Sequence, residues 1–399
     1  MRSDVSRWML LAVFLLALPF GASADWGALN MPVGVTEISR EVYTLHMRIF
    51  YICCIIGVLV FAVMIYSMFA HRKSKGAVAS DFHESTAVEI VWTIVPLIIL
   101  IAMSIPAAKV LVQMEDFSDS DMTIGVTGYQ WRWHYSYLDE GIEFYSQLDR
   151  EHNAARQQGA EVDLGQFGDI YLREVDNPLV VPVGKKIRFL HTAADVIHSW
   201  WVPELSVKKD AIPGFINENW ARIDEPGIYR GKCAELCGRD HGFMPIVVVA
   251  LEQGEYDQWV VDQQNAVAEA SVDADRDWQH EELVATGEAV YQSNCMSCHQ
   301  KGGQGIPGMF PAIGGSHIVT GDIDKHIETV LNGVSETPMQ GFSGKLSDSD
   351  LAAVITFQRN AFGNETGDTL QPSTLKTIRQ GQQQTLLTQP QLVTDTGVN

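Results

Sequence analysis

Two long apolar stretches constrain the fold of this chain more than any other feature. Residues 49–70 contain no charged side chain over 22 positions, and residues 90–108 contain none over 19. As a helix, each stretch reaches roughly 30 Å, the thickness of the hydrocarbon core of a bilayer. The short segment between them, residues 71–75, carries three fixed positive charges, which the positive-inside rule places in the cytoplasm. We therefore predict a transmembrane hairpin, with helices at about 45–70 and 88–112, and an external remainder.

The first 24 residues are predicted to be a cleaved secretory signal peptide. Two arginines stand near the start, residues 8–20 are an apolar run, and residues 22–24 read Ala-Ser-Ala, the small-residue cleavage pattern. The alternative is a short first membrane helix, but residues 8–20 would cover only about 20 Å. A cleaved signal also leaves the mature N-terminus outside, in agreement with the orientation of the hairpin.

The charge balance excludes one class of partner. The chain carries 49 acidic residues against 28 Lys and Arg, a formal net charge of −21, and such a surface would repel the phosphates of a nucleic acid. Apolar residues make up 46% of the chain and charged residues 19%, which excludes global disorder. We expect membrane lipid and other proteins as partners, and no nucleic acid.

After residue 121 the sequence changes to short runs rich in Val, Ile and Tyr, separated by Gly and Pro. Such runs predict strands at residues 122–126, 180–183, 186–191 and 246–251. Roughly six to ten strands of this kind in about 140 residues imply a sandwich or a barrel. The polar, Ala- and Gln-rich residues 149–161 are an exception and predict a surface helix.

Four potential metal ligands are concentrated in one short segment. They are Cys233, Cys237, His241 and Met244. Thiolate, imidazole and thioether together suit copper in electron-transfer sites. The spacing would also fit one face of a helix, but three glycines and Pro245 in or beside the segment argue against a helix. We expect a loop that ends in a strand.

Two metals would need a further ligand, which His198 can supply from upstream. His191 is the competitor, but it lies in a predicted apolar strand and is therefore assigned to the core. The remaining alternative is a structural zinc site. Four ligands would suffice for zinc, and methionine would be an unusual one.

These segments resemble subunit 2 of the haem–copper cytochrome c oxidases over residues 40–262. The matching motifs are Ile-His-Ser-Trp-Trp-Val-Pro at residues 197–203, Lys-Asp-Ala-Ile-Pro-Gly at 209–214 and Cys-Ala-Glu-Leu-Cys-Gly-Arg-Asp-His-Gly-Phe-Met-Pro-Ile at 233–246. The resemblance implies a cupredoxin barrel that holds the dinuclear copper A centre. The matching ligands are His198, Cys233, Cys237, His241 and Met244 by side chain, and Glu235 by its backbone carbonyl. The Glu235 carboxylate would also reach a magnesium ion at the interface with the catalytic subunit.

Two further residues take a role from the same resemblance. Alternation predicts one aromatic face on a strand, formed by Trp131, Trp133, Tyr135 and Tyr137. On its own such a stripe favours core packing, but the resemblance implies that Trp131 is where electrons enter from cytochrome c. Glu89, just before the second apolar stretch, matches an acid at the mouth of a proton pathway. The alternative for Glu89 is an acid at the level of the lipid headgroups.

A second module is indicated by Cys295-Met-Ser-Cys298-His299, the c-type haem attachment signature. Its two cysteines would bond covalently to the haem, and His299 can bind the iron. A zinc site would need a second cysteine pair, which the neighbouring sequence lacks. One helix is predicted to lead into this motif, and another to run from Ser347 as N-cap to about Asn360.

With these helices, residues 281–362 resemble a class I cytochrome c. Pro311 matches the residue whose carbonyl orients the proximal histidine, here His299. Met339 matches the sixth ligand of the iron, and Met309 is its rival. Ligation by Met and His raises the reduction potential of a haem, which suits an electron carrier of a respiratory chain.

The predicted architecture is a multi-domain membrane protein with a two-helix transmembrane hairpin, an all-β cupredoxin barrel and a small all-α class I cytochrome c domain. The predicted boundaries are 1–24 for the signal peptide, 25–112 for the N-terminal segment and hairpin, 113–262 for the copper A domain, 263–280 for an acidic linker, 281–362 for the cytochrome c domain and 363–399 for a tail. The linker is expected to be partly helical. The Gln- and Thr-rich tail is expected to be disordered or loosely docked.

The resemblance implies the subunit through which electrons enter a respiratory cytochrome c oxidase of a bacterial inner membrane, with both redox domains in the periplasm. Electrons would pass from a cytochrome c or another c-type donor to the chain's own haem c, then to copper A. A catalytic subunit 1, with subunit 3 as a further partner, would reduce oxygen to water and pump protons. The two apolar stretches contain no histidine cluster, so oxygen chemistry requires that partner.

Three other functions fit the sequence less well. A quinol oxidase subunit shares the hairpin and the barrel but lacks the copper ligands, whereas all five side chains are present here. Nitrous oxide reductase uses the same copper motif but needs a large additional domain with many histidines. A copper-delivery or structural protein would not have its copper reduced by ferrous cytochrome c.

An acidic patch is the candidate docking surface for a basic cytochrome c, and a solvated acidic surface is its alternative interpretation. The patch comprises Glu115, Asp116, Asp119, Asp121, Asp139, Glu140 and Glu143.

Overall fold

The structure is a computed structural model that describes residues 30–78, 83–158, 164–334, 337, 339–343 and 345–388. The predicted signal peptide lies outside the described residues. The chain divides into two compact units, Met1–Gln113 and Met114–Asn399.

The first unit contains the predicted hairpin helices, α1 (Glu37–Ala70) and α2 (Thr86–Met114). Both are long and apolar enough to cross a membrane, and apolar side chains are exposed along most of each helix, as a lipid-facing surface requires. Helix α1 begins earlier than predicted because Thr36 caps it. The Ser39 amide donates to the Thr36 hydroxyl, and the Thr36 amide donates to the Ser39 hydroxyl, both at 2.9 Å.

The second unit begins with ten strands in two five-stranded sheets, called the β module here. The strands are β1 (Met122–Tyr129), β2 (Arg132–Tyr137), β3 (Ile142–Ser146), β4 (Leu179–Pro182), β5 (Lys186–Ala193), β6 (His198–Val202), β7 (Val207–Ala211), β8 (Asn217–Arg222), β9 (Gly227–Cys233) and β10 (Pro245–Leu251). The sheet orders are β3-β2-β1-β5-β8 and β4-β10-β9-β6-β7. All four predicted strands are confirmed, with ends displaced by at most a few residues.

The inner faces of the two sheets form an aromatic core. Trp133, Tyr135 and Tyr137 alternate along β2 and are fully buried, and the Trp200 indole of β6 donates to the Tyr135 hydroxyl at 3.2 Å. Buried indole and phenol groups need such partners. His191, which the sequence assigns to the core, is fully buried and bonds to Asn219 at 3.0 Å.

The expected position of Trp131 on the aromatic strand face is wrong. Residues 130 and 131 form the turn between β1 and β2, and β2 begins only at Arg132. A turn residue does not follow the two-residue alternation of a strand. The Trp131 side chain therefore leaves the sheet instead of entering the core, and it remains partly exposed.

The predicted helix in residues 149–161 is confirmed as α3 (Arg150–Gln158). It is more deeply packed than a surface helix, because His152, Asn153 and Ala155 are buried. The His152 ring nitrogen Nδ1 accepts from the Leu172 amide at 2.9 Å. This bond joins two segments of the long insertion between β3 and β4.

Beyond β10, the regular elements of the described residues are helices. After α4 (Gln253–Asp273), which covers much of the acidic segment, come α5 (His280–Asn294), α6 (Met296–His299), α7 (His317–Thr320), α8 (Ile323–Asn332), α9 (Asp348–Asn360) and α10 (Pro372–Thr388). The elements from α5 to α10 are called the helical module here. Ser347 is the N-cap of α9 as predicted, and its hydroxyl accepts from the Asp350 amide at 3.0 Å.

The tail differs from the expectation of disorder or loose docking over its described part. Leu370 and Leu375 are buried in the core of the helical module, and the Arg379 guanidinium pairs with Asp348 at 2.6 Å. A few leucines on one side of an otherwise polar helix suffice to dock it on a preformed core. Residues 389–399 lie outside the described part of the chain.

The packing of α5 on α9 depends on Gly287. A Cβ atom at this position would lie 2.0 Å from the carbonyl oxygen of Ala353. We predict that Gly287→Ala lowers the free energy of unfolding of the helical module by about 1–3 kcal/mol, the usual cost of overpacking. Urea denaturation of the full detergent-solubilised chain, followed by Soret circular dichroism, measures this. The control Gly254→Ala, which meets nothing within 4 Å, should leave the transition near that of the wild type; equal behaviour of both variants would contradict the packing.

Candidate metal centre and haem cavity

Two neighbouring strands bring the predicted metal ligands together at one end of the β module. Cys233 ends β9, and His198 begins the neighbouring β6, which is paired with β9 through Trp200 and Cys233. The His198 Nδ1 atom lies 3.9 Å from the Cys233 sulfur, and the Cys237 sulfur lies 3.8 Å from that of Cys233. One ligand atom of each of these three buried residues falls within 4.8 Å of the others.

The remaining predicted ligands lie in the same loop. The His241 Nδ1 atom is 3.5 Å from the Cys237 sulfur, and the backbone oxygen of Glu235 is 3.4 Å from the Cys233 sulfur. Met244 is buried, and its carbonyl accepts from the Cys233 amide at 3.0 Å, which closes the loop. The structure therefore brings all six residues together, as a loop and not as a helix.

This donor set fits copper better than a structural zinc. Two thiols, two imidazoles, one carbonyl and a buried thioether are more donors than a tetrahedral zinc uses. Soft sulfur with imidazole is the combination that copper electron-transfer sites use. The two thiols also shift each other's pKa: the hydrogen bond with Cys237 lowers the pKa of Cys233, and the same hydrogen bond, together with burial, raises the pKa of Cys237.

Asp195 sets the orientation of His198. Its carboxylate bonds to the His198 Nε2 atom at 2.9 Å, which leaves Nδ1 facing the thiols. Burial alone would lower the pKa of His198, but the bonds to Asp195 and Cys233 outweigh it and raise the pKa. Gly128 makes room for the ring, because a Cβ there would lie 2.7 Å from the His198 Cδ2 atom. Ring orientation by a carboxylate is typical of metal-binding histidines.

Sequence reasoning missed Asp195 and Gly128. Asp195 stands three residues before His198, and this short spacing is the sequence feature that could have identified it. The role of Gly128 depends on the packing of β1 against β6 and has no local signal.

Trp131 lies against the cysteine loop. Its indole donates to the backbone oxygen of Cys237 at 3.2 Å, and the side-chain amide of Gln130 donates to the same oxygen at 2.8 Å. A partly exposed aromatic ring is thereby attached directly to one of the two thiol residues.

Beside this loop, a cavity of about 320 Å³ opens into the helical module. Its lining includes the haem-attachment residues Cys295, Cys298 and His299, together with both candidate iron ligands, Met309 and Met339. The His299 Nδ1 atom donates to the Pro311 carbonyl at 2.8 Å, which frees Nε2 for an iron. Burial raises the pKa of the Cys295 thiol to about 12 and that of Cys298 to about 11.

The two methionines differ in burial. Met339 is partly buried and packs against the core of the helical module. Met309 is 62% exposed. Burial therefore favours Met339 over Met309 as the residue that would bind the iron.

The β module and the helical module meet around this cavity. The Arg239 guanidinium, in the loop between Cys237 and His241, donates to the carbonyl of Ser297 in the haem-attachment segment at 2.9 Å. Arg132, next to Trp131, donates to the Asn294 side chain at 3.1 Å. Its buried guanidinium also stacks on the ring of Phe342 at 5.3 Å.

Helix α3 braces the same loop from the other side. Arg156 forms an ion pair with the buried Asp240 at 3.0 Å and stacks on Phe243 at 4.2 Å. Arg156 and Asp240 both line the cavity. Sequence reasoning did not anticipate this contact, because the partners are separated by 84 positions.

The remaining predicted side chains are those of Glu89 and Glu235. Glu89 is in the first turn of α2, where its carboxylate accepts from the Ser85 amide at 3.3 Å, as an N-terminal acid of a helix does. The Glu235 side chain is exposed.

Family models match most of the chain in three segments. Residues 24–110 match the transmembrane domain of cytochrome c oxidase subunit II, residues 122–251 match its periplasmic domain, and residues 282–357 match subunit III of cbb3-type cytochrome c oxidase. The subunit II domain implies copper A, and the cytochrome c domain implies haem.

Individual relatives agree with these matches. A probable cytochrome c oxidase subunit 2 of Rickettsia bellii is 37% identical over 234 residues, which is 58% of this chain and 83% of the relative. Cytochrome c oxidase subunit 2 of Cereibacter sphaeroides is 34% identical over 243 residues, 59% of this chain and 80% of the relative. The crystal structure of the periplasmic domain of subunit II from Bradyrhizobium japonicum is 39% identical, with a TM-score of 0.32, and covers 38% of this chain and 99% of that one.

The hairpin, the β module with its cysteine loop and the helical module with its haem-attachment motif thus all match the sequence families. The chain belongs to the cytochrome c oxidase subunit 2 family, part of an oxidoreductase complex, and carries a C-terminal cytochrome c domain.

Proposed function

We propose that this chain is the subunit through which electrons enter its oxidase, and that they pass from its own haem c to a dinuclear copper A centre. The contact that carries the proposal is the hydrogen bond from Arg239 to the Ser297 carbonyl. It joins the loop of the predicted copper ligands directly to the segment of the haem cysteines. Two carriers held by adjacent backbone segments of one chain can exchange electrons without a diffusional encounter.

At the copper site, two copper ions would be held by Cys233, Cys237, His198, His241, Met244 and the Glu235 carbonyl. When bound, such a centre supplies a one-electron carrier whose charge is shared by two metals. The protein fixes the ligands before the metal arrives: Asp195 holds His198, and the backbone bond between Cys233 and Met244 closes the loop. Pre-positioned ligands keep the geometry the same in both oxidation states, which favours fast transfer.

At the haem site, Cys295 and Cys298 would hold the haem covalently, and His299 and Met339 would bind the iron. The bond from His299 to Pro311 orients the imidazole. Ligation by His and Met places a haem at a comparatively high potential, suited to accept electrons from a c-type donor.

The match to the transmembrane domain of subunit II supports a location in the inner membrane, with a periplasmic domain. We propose subunit 1 as the electron acceptor, subunit 3 as a further partner, and cleavage of the signal peptide after residue 24. We further propose Trp131 as a relay attached to the Cys237 carbonyl, Glu235 as a ligand of an interfacial magnesium ion, and Glu89 as the acid at a proton pathway.

The direct test is electron transfer within the assembled complex. After photoreduction of the haem, the copper absorption should bleach at a rate that does not depend on protein concentration, because both carriers belong to one chain. A rate proportional to protein concentration, or reduction of copper before haem by an external cytochrome c, would contradict the proposed order.

The copper assignment has its own test. We predict that wild type shows an electron paramagnetic resonance signal with one unpaired electron shared equally by two copper nuclei. Cys233→Ser should abolish it, because a hydroxyl is a poor copper ligand. The matched control is Cys53→Ser, at an exposed position on membrane helix α1, which should retain the signal. A shared-electron signal in Cys233→Ser would contradict the assignment of Cys233 as a ligand of both copper ions.

The iron assignment is tested by exchanging each methionine. Met339→Leu should remove the sulfur-to-iron charge-transfer band of the oxidised haem and lower its midpoint potential, since thioether ligation raises the potential. Met309→Leu, at the exposed rival position, should change neither. The reverse pattern would assign the iron to Met309.

A further inference from the structure

Gln340 connects the two redox modules at a point where no motif predicts a functional residue. It directly follows Met339 in the helical module. Its side-chain nitrogen donates to the Asp195 carboxylate in the β module at 2.7 Å, and its side-chain oxygen accepts from the Lys345 ammonium. The amide is thus held at both ends in a single orientation.

Asp195 is the same carboxylate that holds the predicted copper ligand His198. One of its oxygens bonds to the His198 Nε2 atom at 2.9 Å and to the Val196 amide at 2.7 Å. The other accepts from Gln340 and from the Gln130 amide at 2.7 Å. Every change at Gln340 therefore alters the hydrogen bonding of the group that orients His198.

Lys345 strengthens this bond. Its ammonium is partly buried and lies 4.8 Å from the ring centroid of Tyr129 and 5.3 Å from that of Phe342. Burial lowers the pKa of Lys345 to about 7. While it is protonated, the ammonium polarises the amide, so that the amide N–H becomes a better donor. The β module contributes Tyr129 to this packing, and the amide chain therefore spans the contact between the modules.

Two other hydrogen bonds between the modules have different acceptors. Arg239 bonds to the backbone carbonyl of Ser297, and Arg132 bonds to the side chain of Asn294. Each fixes the distance between the modules. Neither bonds to the carboxylate that orients a predicted metal ligand.

We propose that Gln340 is a positioning residue that holds the Met339 segment against Asp195, and so couples the haem site to the copper ligand His198. This inference rests on the proposed transfer from haem c to copper A. A carboxylate that loses one donor accepts more strongly from its remaining partner, so loss of Gln340 makes the His198 imidazole a more electron-donating ligand. A more donating ligand favours oxidised copper.

The experiment uses the full chain in its oxidase complex, with haem and copper bound. Gln340→Met removes both hydrogen bonds at nearly constant size, and Gln340→Glu keeps an acceptor for Lys345 but removes the donor to Asp195. Gln292→Met is the matched control in the same module, because within the described part of the chain the Gln292 side chain bonds to Glu288 on its own helix and to no residue of the β module. The Soret and copper spectra of each variant verify that both centres are assembled.

The measured quantities are the rate of haem-to-copper transfer after photoreduction and the midpoint potential of copper. We expect Gln340→Met and Gln340→Glu to slow the transfer by about tenfold, the lower end of the effect of changing a direct partner of a metal ligand, because Gln340 acts on His198 through Asp195. Gln340→Met should also shift the copper potential downward. Gln292→Met should match the wild type in both measurements.

Three results would overturn the inference. The first is a wild-type rate and potential in Gln340→Met. The second is a defect in Gln340→Glu alone, which charge repulsion with Asp195 would explain. The third is a slower rate with an unchanged copper potential, which would reduce Gln340 to a docking contact. A wild-type chain without concentration-independent transfer would instead contradict the proposed function itself.

Discussion

The pairing of strand β6 with strand β9 is the constraint on which the redox chemistry of this chain depends. It places His198 beside Cys233, although the two are 35 positions apart. Cys237, His241 and Met244 then follow in the loop between β9 and β10, which the bond from Cys233 to Met244 closes. The ends of two paired strands, together with one loop, can hold soft ligands in a fixed geometry before any metal binds. The cost of ordering the ligands is met by folding of the β module.

The helical module contacts the β module at this same end. Arg239 from the cysteine loop, Arg132 from the start of β2 and Asp195 beside His198 each bond to a different part of the helical module. Their partners are Ser297, Asn294 and Gln340, which lie beside or within the haem-attachment motif or next to Met339. The contact is polar, and it concentrates on the residues that flank both centres. These bonds fix the relative position of the two cofactor sites. They add little to the stability of the fold, since each polar bond contributes little net free energy.

Much of this organisation is predictable from the sequence, because its signals are local. The apolar stretches, the spacing of Cys233, Cys237, His241 and Met244, the haem-attachment motif and the Ser347 cap are each read within a few residues, and the structure has the corresponding helices, loop and strands. The position of Trp131 was wrong because a two-residue turn interrupts the alternation. The tail differed from the expected disorder because Leu370 and Leu375 are buried against the core that α5 and α9 form, which local sequence does not reveal. Gln340, Arg156 and Gly128 have no local signal, since their roles arise from contacts between distant segments.

The central claim is that the haem and the copper centre are neighbours held by one chain. The most direct measurement is the spin relaxation of the copper signal in the complete oxidase, recorded once with the haem of this chain oxidised and once with it reduced. A nearby paramagnetic haem must accelerate the relaxation of copper, so relaxation should be faster in the oxidised state and slow down when the haem becomes diamagnetic on reduction. Identical relaxation in both states would show that the haem does not lie beside the copper centre, and would contradict the account.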